Sequence, residues 1–349
     1  MSFELIPFSD CDLDDVFFDS LKEDYPGFDK WFVKKCNDLA KAYVWKNEDG
    51  LIHGFLYVKE EPEEEAIGEL PSEPRVKIGT LKIDDSIGGQ RIGEGAIGIA
   101  LWTWQRMKLD KIYVTIFPKH ESLIKILENF GFVHVTDKGG ERVYQKSKKL
   151  IDRKSPKTYF PYILSDCRGR VLPILSEYHD RMFQYSELKN TDQSIESMPV
   201  SNGITKYYLA FPPKNPDYRI NDLVFIYRMA DEDKQYKSVI SSFCVVSGFQ
   251  CVKENGNVKM TKEQYLKTVG NKTVFSSEEL ESFYTKPNLY LIELLYCGYF
   301  GAGNNVNYNK LKSMGIWKNQ HPYQMILSEK EIRMVLNEGK ICVEDITID

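Results

Sequence analysis

The stretch Gln90-Arg91-Ile92-Gly93-Glu94-Gly95-Ala96 constrains this chain more than any other. It lies between a strand-like run, Val76 to Ile83, and a run that is apolar nearly all round, Ala96 to Met107, as expected of a helix buried on more than one side. Glycine lets the backbone come close to a bound anion, and the first N–H groups of the following helix point at it with the positive end of the dipole. The stretch therefore reads as a pyrophosphate cradle. Gly93, Gly95 and Gly98 also spell G-x-G-x-x-G, the dinucleotide fingerprint. That fingerprint belongs after the first strand of a βαβ unit, with an acidic residue about 20 positions on. Here the next strand-like run, Lys111 to Phe117, ends in Pro118, Lys119 and His120, and several alternating segments precede the loop. A nicotinamide or flavin domain fits this context poorly.

Read from Gln90, the same residues spell Q-x-x-G-x-G, which resembles motif A of the GNAT family of N-acetyltransferases. The order of elements resembles that family too. Phe3 to Pro7 reads as a first strand, and Asp12 to Asp38 as helical material broken near Pro26-Gly27. Lys41 to Trp45 and Leu51 to Lys59 read as a hairpin turning through Asn47-Glu48-Asp49-Gly50, since Asp-Gly is a strong turn signal. After the loop come the helix, the strand Lys111 to Phe117, a second helix from Glu121 to Asn129, and Gly131-Phe132, where the family carries a helix-ending Gly-Phe. The resemblance covers about the first 147 residues.

It implies acetyl-CoA as cofactor. Backbone groups of Leu81, Lys82 and Ile83 would align the pantetheine arm. Gln90, Arg91, Ile92, Gly93, Glu94, Gly95 and Ala96 would hold the pyrophosphate, with Arg91 adding a charge-assisted contact. Many members of the family place a proton-donating tyrosine four residues before the Gly of Gly-Phe, and that position here is Leu127. Asp84 and Asp85, ending the strand before the cradle, and His120 and Ser122, near the next strand-to-helix turn, are the remaining polar candidates for proton transfer. Tyr113 lies on the strand between, on a face that alternation does not settle.

A length of 349 residues suggests two domains. Residues 1–150 carry 21 Lys+Arg and 27 Asp+Glu, net −6, whereas residues 151–349 carry 25 and 24, net +1. That balance excludes a polyelectrolyte clamp on a nucleic-acid backbone, though not a local basic patch. No apolar run is long enough to cross a bilayer, and Met1 to Ser20 is acidic, unlike a signal peptide. Seven cysteines, an odd number without metal-site spacing, point to a reducing compartment, the cytoplasm. The boundary falls in Lys146 to Lys157, which has six basic residues and one acidic and reads as a solvated linker, with a phosphate-contacting arm as the alternative, while Glu60 to Glu65 reads as a solvated loop.

Beyond the linker strand-like runs dominate: Ile204 to Ala210, Leu223 to Arg228, Ser238 to Gly248 and Leu289 to Tyr296. Capping boxes at Thr261 with Gln264, Ser276 with Glu279, and Ser328 with Glu331 start helices. Gly203 to Tyr208, and Ile220-Asn221-Asp222-Leu223-Val224-Phe225-Ile226-Tyr227-Arg228, resemble strands of the PUA-like superfamily, which includes ASCH and EVE domains. Asn221 stands where that pattern has glycine. The resemblance implies RNA or modified-base binding, and Lys206, Tyr207, Tyr208, Tyr227 and Arg228 mix aromatic faces with positive charge, as base stacking requires. Cross-strand packing is the alternative for the tyrosines.

The expectation is thus an α+β chain. A GNAT mixed β-sheet flanked by helices spans residues 1–147, a basic linker 148–157, and a PUA-like β-barrel with helical additions 158–349. The functions in view are an acetyl-CoA-dependent N-acetyltransferase with an amine acceptor, possible RNA association and no membrane; a non-catalytic acyl-CoA-binding adaptor that reads nucleic acid; and a small-molecule amine acetyltransferase.

Overall fold

The computed structural model describes residues 3–349 except 48, 63–66, 68–69, 85–88, 90, 184–185, 187–201 and 318–319. The chain forms two compact units, Met1–Lys149 and Leu150–Asp349. Both mix helices with sheet, so the fold is α+β as expected.

The first unit holds β1 (Glu4–Pro7), α1 (Asp19–Asp24), α2 (Phe28–Asn37), β2 (Lys41–Lys46), β3 (Ile52–Glu61), β4 (Arg75–Ile83), α3 (Ile92–Met107), β5 (Lys111–Ile116), α4 (Glu121–Asn129), β6 (Val133–Lys138) and β7 (Glu141–Ser147). Its seven-stranded sheet runs β1-β2-β3-β4-β5-β7-β6. Only β4 and β5 are parallel neighbours, because α3 crosses over between them. Alternation along β2 places helices on both faces. Ala42 and Val44 join Phe8, Phe18, Phe28, Phe32 and Phe55 in an aromatic core with α1 and α2. Tyr43, between them, reaches Thr103 on α3. At the end of α4, Gly131 adopts φ 81°, and the amides of Gly131 and Phe132 return to the carbonyls of Glu128 and Leu127. Only glycine takes that backbone angle without strain, which is why Gly-Phe ends the helix.

Two charged runs differ from expectation. Glu61 is not solvated but buried at the end of β3, bonded by Lys59 at 2.8 Å, Lys77 at 3.3 Å and the Tyr113 hydroxyl. Burial would raise its carboxyl, yet these donors outweigh it and hold it below the usual range. Lys146, which opens the basic run ending at Lys157, is a buried residue of β7.

The second unit contains β8 (Ile163–Leu164), β9 (Gly169–Leu175), α5 (Ser176–Met182), β10 (Thr205–Ala210), β11 (Leu223–Met229), α6 (Lys234–Lys237), β12 (Val239–Glu254), β13 (Asn257–Val258), α7 (Lys262–Val269), α8 (Ser277–Tyr284), β14 (Leu289–Tyr299), β15 (Val306–Asn307), α9 (Tyr308–Ser313), β16 (Ile326–Leu327), α10 (Glu329–Glu338), α11 (Val343–Ile346) and β17 (Thr347–Ile348). One eight-stranded sheet follows the path β10-β14-β12-β11-β9-β16, with β13 and β15 added to β12. The long β12 shifts register three times against β14, which bends both strands. All three expected capping boxes are formed, each with reciprocal bonds, at the starts of α7, α8 and α10.

Candidate functional site

The first unit's sheet parts at its centre. β4 and β5 pair only through Val76–Ile112, Lys77–Tyr113 and Ile78–Val114. Beyond them β4 stays paired with β3 on one side and, among the described residues, with no strand on the other. Its burial records the opening: Arg75, Val76 and Ile78 are buried, whereas residues 79–83 are all partly exposed, unusual for the middle strand of seven. The parting begins at a bulge, where Gly79 is the extra residue opposite Tyr57 and Val58. A Cβ at Gly79 would lie 3.0 Å from Tyr57 Cδ1, so glycine suits this close approach.

α3 starts at the same end of the sheet. Arg91 caps it at φ 58°, and the helical ladder begins with Gly95 N–H to the Arg91 carbonyl at 3.1 Å. The amides of Ile92 and Gly93 precede that first rung and point off the helix start. Gly93 packs towards α4, its would-be Cβ being 3.4 Å from Ile126 Cδ1. Arg91 Nε donates to Glu94 Oε2 at 3.1 Å, so its side chain braces the first turn. Ala96 and Ile92 are buried, while Gln90 lies outside the described residues. Leu81, Lys82 and Ile83 line the open half of β4 through their backbone; the Lys82 ammonium turns away to the Phe17 carbonyl and to Ser20 Oγ at 2.7 Å.

The proton-transfer candidates are dispersed. Asp84 accepts from His53 Nδ1 at 2.8 Å and lies six residues past the last β4–β5 pair, roughly 20 Å along an extended strand. Asp85 lies outside the described residues. His120 is exposed at the start of α4, 3.8 Å from Asp24, and Ser122 is exposed on that helix's first turn. Leu127 is fully buried. Tyr113 faces Glu61, at the closed end of the β4–β5 pair. Sequence reasoning missed His53, and also Tyr25, whose hydroxyl donates to Glu141 Oε1 at 2.7 Å across 116 residues. No local signal announces a partner that distant.

In the second unit the five expected nucleic-acid contacts do not share an exposed face. Lys206 is buried, donating to the Gly203 carbonyl at 3.0 Å with the rings of Phe183 and Tyr296 beside it. Tyr207 is buried and donates to Glu293 at 2.7 Å; Tyr208 reaches the Pro173 carbonyl at 3.3 Å. Tyr227 is buried against Trp317, ring centroids 5.0 Å apart. Arg228 Nε and Nη2 each donate to Asp180 at 2.8 Å. Cross-strand and core packing, the alternative for the tyrosines, accounts for what these rings do.

Asp180 leads into a buried chain that the sequence did not reveal. Asp180 Oδ1 is 2.7 Å from His179 Nδ1, and His179 Nε2 is 2.7 Å from Ser241 Oγ. Burial would raise the Asp180 carboxyl, but Arg228 and His179 hold it at about 2, while burial pushes His179 down. His179 and Ser241 are fully buried, so the chain fastens α5 to β11 and β12 and offers no nucleophile to a substrate.

All seven cysteines are unpaired, no group of metal-ligating side chains occurs among the described residues, and no described helix is long and apolar enough to cross a membrane. No protein-family model matches the chain, and no curated protein matches it either. Among solved structures it is similar to AtaTR bound with AcCoA, at 16% identity and TM-score 0.33, covering 42% of this chain and 95% of that one. It is also similar to a mutant ASCH protein from Zymomonas mobilis, at 14% identity and TM-score 0.33, covering 49% and 96%. A third similarity is to the NatC complex bound to Gag peptide and CoA, at 18% identity and TM-score 0.29, covering 42% and 96%. At these values the likenesses assign no function.

Proposed function

We propose that the first unit is a GNAT-type N-acetyltransferase that takes its acetyl group from acetyl-CoA and passes it to an amine. One observation carries the reading: the central strand of a seven-stranded sheet leaves its neighbour after three residue pairs and stays half open to its end, beside a glycine-rich helix start. Bound acetyl-CoA supplies an activated thioester. Residues 79–83 of β4, past the last β4–β5 pair, would present backbone groups to the amides of a pantetheine arm, and the amides of Ile92 and Gly93 would present donors to a pyrophosphate. Among the described residues none of the nominated acids or bases stands at the parting, so the role supported for this chain is to bind and orient, with the acceptor's proton passing to water.

A second reading, an acyl-CoA-binding adaptor without turnover, is favoured by one residue: Leu127, buried where a proton-donating tyrosine is expected. The RNA link rests on the PUA-like resemblance alone. Since Lys206, Tyr207 and Tyr227 are buried, RNA would have to meet other side chains of the second unit.

Calorimetry with acetyl-CoA, followed by thiol release in the presence of candidate amines and RNAs, tests these readings. Binding with turnover is expected; binding without turnover selects the adaptor, and absence of binding overturns both. Gly93→Asp should abolish binding, because it sets a carboxylate in the anion cradle. Unchanged affinity would mean that the cradle is elsewhere.

A further inference from the structure

The open half of β4 ends at three polar side chains that none of these readings employs. The Asp84 amide donates to the His53 carbonyl at 2.9 Å, and the Asp84 carboxylate accepts a hydrogen bond from His53 Nδ1–H at 2.8 Å. A carboxylate cannot donate, so this bond fixes a hydrogen on Nδ1 and leaves Nε2 as the working nitrogen of the ring. His53 also lies against Trp45, ring centroids 5.5 Å apart. The Trp45 indole N–H is buried and has no partner among the described residues. Exposure falls steadily inward, from 33% for the Asp84 side chain to 18% for His53 and 5% for Trp45.

We propose that Trp45 and His53, with Asp84 as positioning residue, form a second phosphate-contacting subsite at the end of the open half of β4. The inference rests on the acyl-CoA reading of the helix-start cradle. Its chemistry follows from the donors. Indole N–H can only donate, and the imidazole, held by a carboxylate at Nδ1, presents a second N–H at Nε2 whenever it is charged. Two donors on neighbouring rings suit an anionic oxygen. The Asp84 charge, which alone would repel an anion, is engaged by His53. A buried donor without an acceptor is costly, and an anionic oxygen reaching Trp45 N–H would relieve that cost.

The test is calorimetric titration of the full chain with CoA, and competition of CoA by inorganic pyrophosphate. The variants are Trp45→Phe, which keeps the ring and removes the N–H, and the pair His53→Asn and His53→Gln. Asparagine reproduces the Nδ1 side of histidine and glutamine the Nε2 side. Trp45→Phe and His53→Asn should each weaken CoA and pyrophosphate by about tenfold, while His53→Gln recovers part of the loss. Circular dichroism and melting curves matching the parent chain establish that the variants are folded. Unchanged CoA affinity in folded Trp45→Phe and His53→Asn overturns the subsite while leaving the cradle intact. So does loss of CoA affinity with pyrophosphate competition unaltered, or pyrophosphate that fails to compete in the parent chain. A parent chain that binds no CoA removes the subsite together with the acyl-CoA reading.

Discussion

Lys146 is a charge in the wrong medium. Its ammonium is buried on β7 and donates to the Phe130 carbonyl at 2.6 Å, at the C-terminal end of α4. Burial pushes it down from its ordinary value to about 7. The folded state therefore prefers the neutral amine, whereas the unfolded chain holds its proton to about pH 10.5. The stabilisation is fully present above the unfolded value and is lost as pH falls towards 7, by roughly 4 kcal/mol at neutral pH. Lys146→Met should flatten the rise in stability between pH 7 and 10, and denaturant melts at those two pH values check it; an unaltered slope would assign the titration elsewhere. Asn221 shows how a sequence mismatch resolves at one residue. It occupies the glycine position of the PUA-like pattern at φ 75°, which asparagine tolerates better than other side chains. Its amide also accepts from Tyr159 at 2.7 Å and donates to the Arg153 carbonyl at 2.8 Å. Asn221→Ala, losing both bonds and gaining strain, should cost about 2–3 kcal/mol, and Asn221→Gly less, as measured by equilibrium unfolding.

Elements with local causes were legible, and those set by distant partners were not. The capping boxes at Thr261, Ser276 and Ser328 were readable because both halves of each lie three residues apart, and Ser328→Ala should lower stability by about 1 kcal/mol in a chemical melt. The Asn47–Gly50 turn was readable for the same reason: Gly50 takes φ 83°, and Asn47 Oδ1 accepts from the amides of Asp49 and Leu51. β9 was not foreseen, because Pro173 in its middle argues against a paired strand. It nevertheless runs parallel to β11 in seven register pairs, with Pro173 opposite Tyr227. β6 and β7 also escaped notice, their alternation broken by Lys146 and by exposed Val133. The glycine-rich start of α3 was legible from the sequence, whereas the parting of β4 from β5 was not, since it is a matter of which edge finds a partner. Close packing around β9 can be tested: a Cβ at Gly169 would lie 2.7 Å from Ile332 and 2.9 Å from Leu327, so Gly169→Ala should cost several kcal/mol or prevent folding. A soluble-fraction assay followed by thermal melting reads the outcome.

At the scale of the whole molecule, each of the two compact units has its own sheet and its own buried side chains. Scanning calorimetry should accordingly resolve two transitions, of which acetyl-CoA shifts one. At a hundredfold excess over Kd the gain is about 2.7 kcal/mol, or about 8 °C for a unit of this size. A shift of both transitions by the same amount would mean that they unfold as one. The half-open β4 has a wider consequence for how such a protein behaves in a crowded solution. Residues 79–83 form a partly exposed edge past the last β4–β5 pair in the centre of a sheet, where other proteins keep theirs paired or covered. Any extended peptide of matching length can lie along it, including a segment of another partly folded copy. A ligand that occupies this edge would therefore also act as a guard against self-association, and light scattering during refolding should fall when CoA is present.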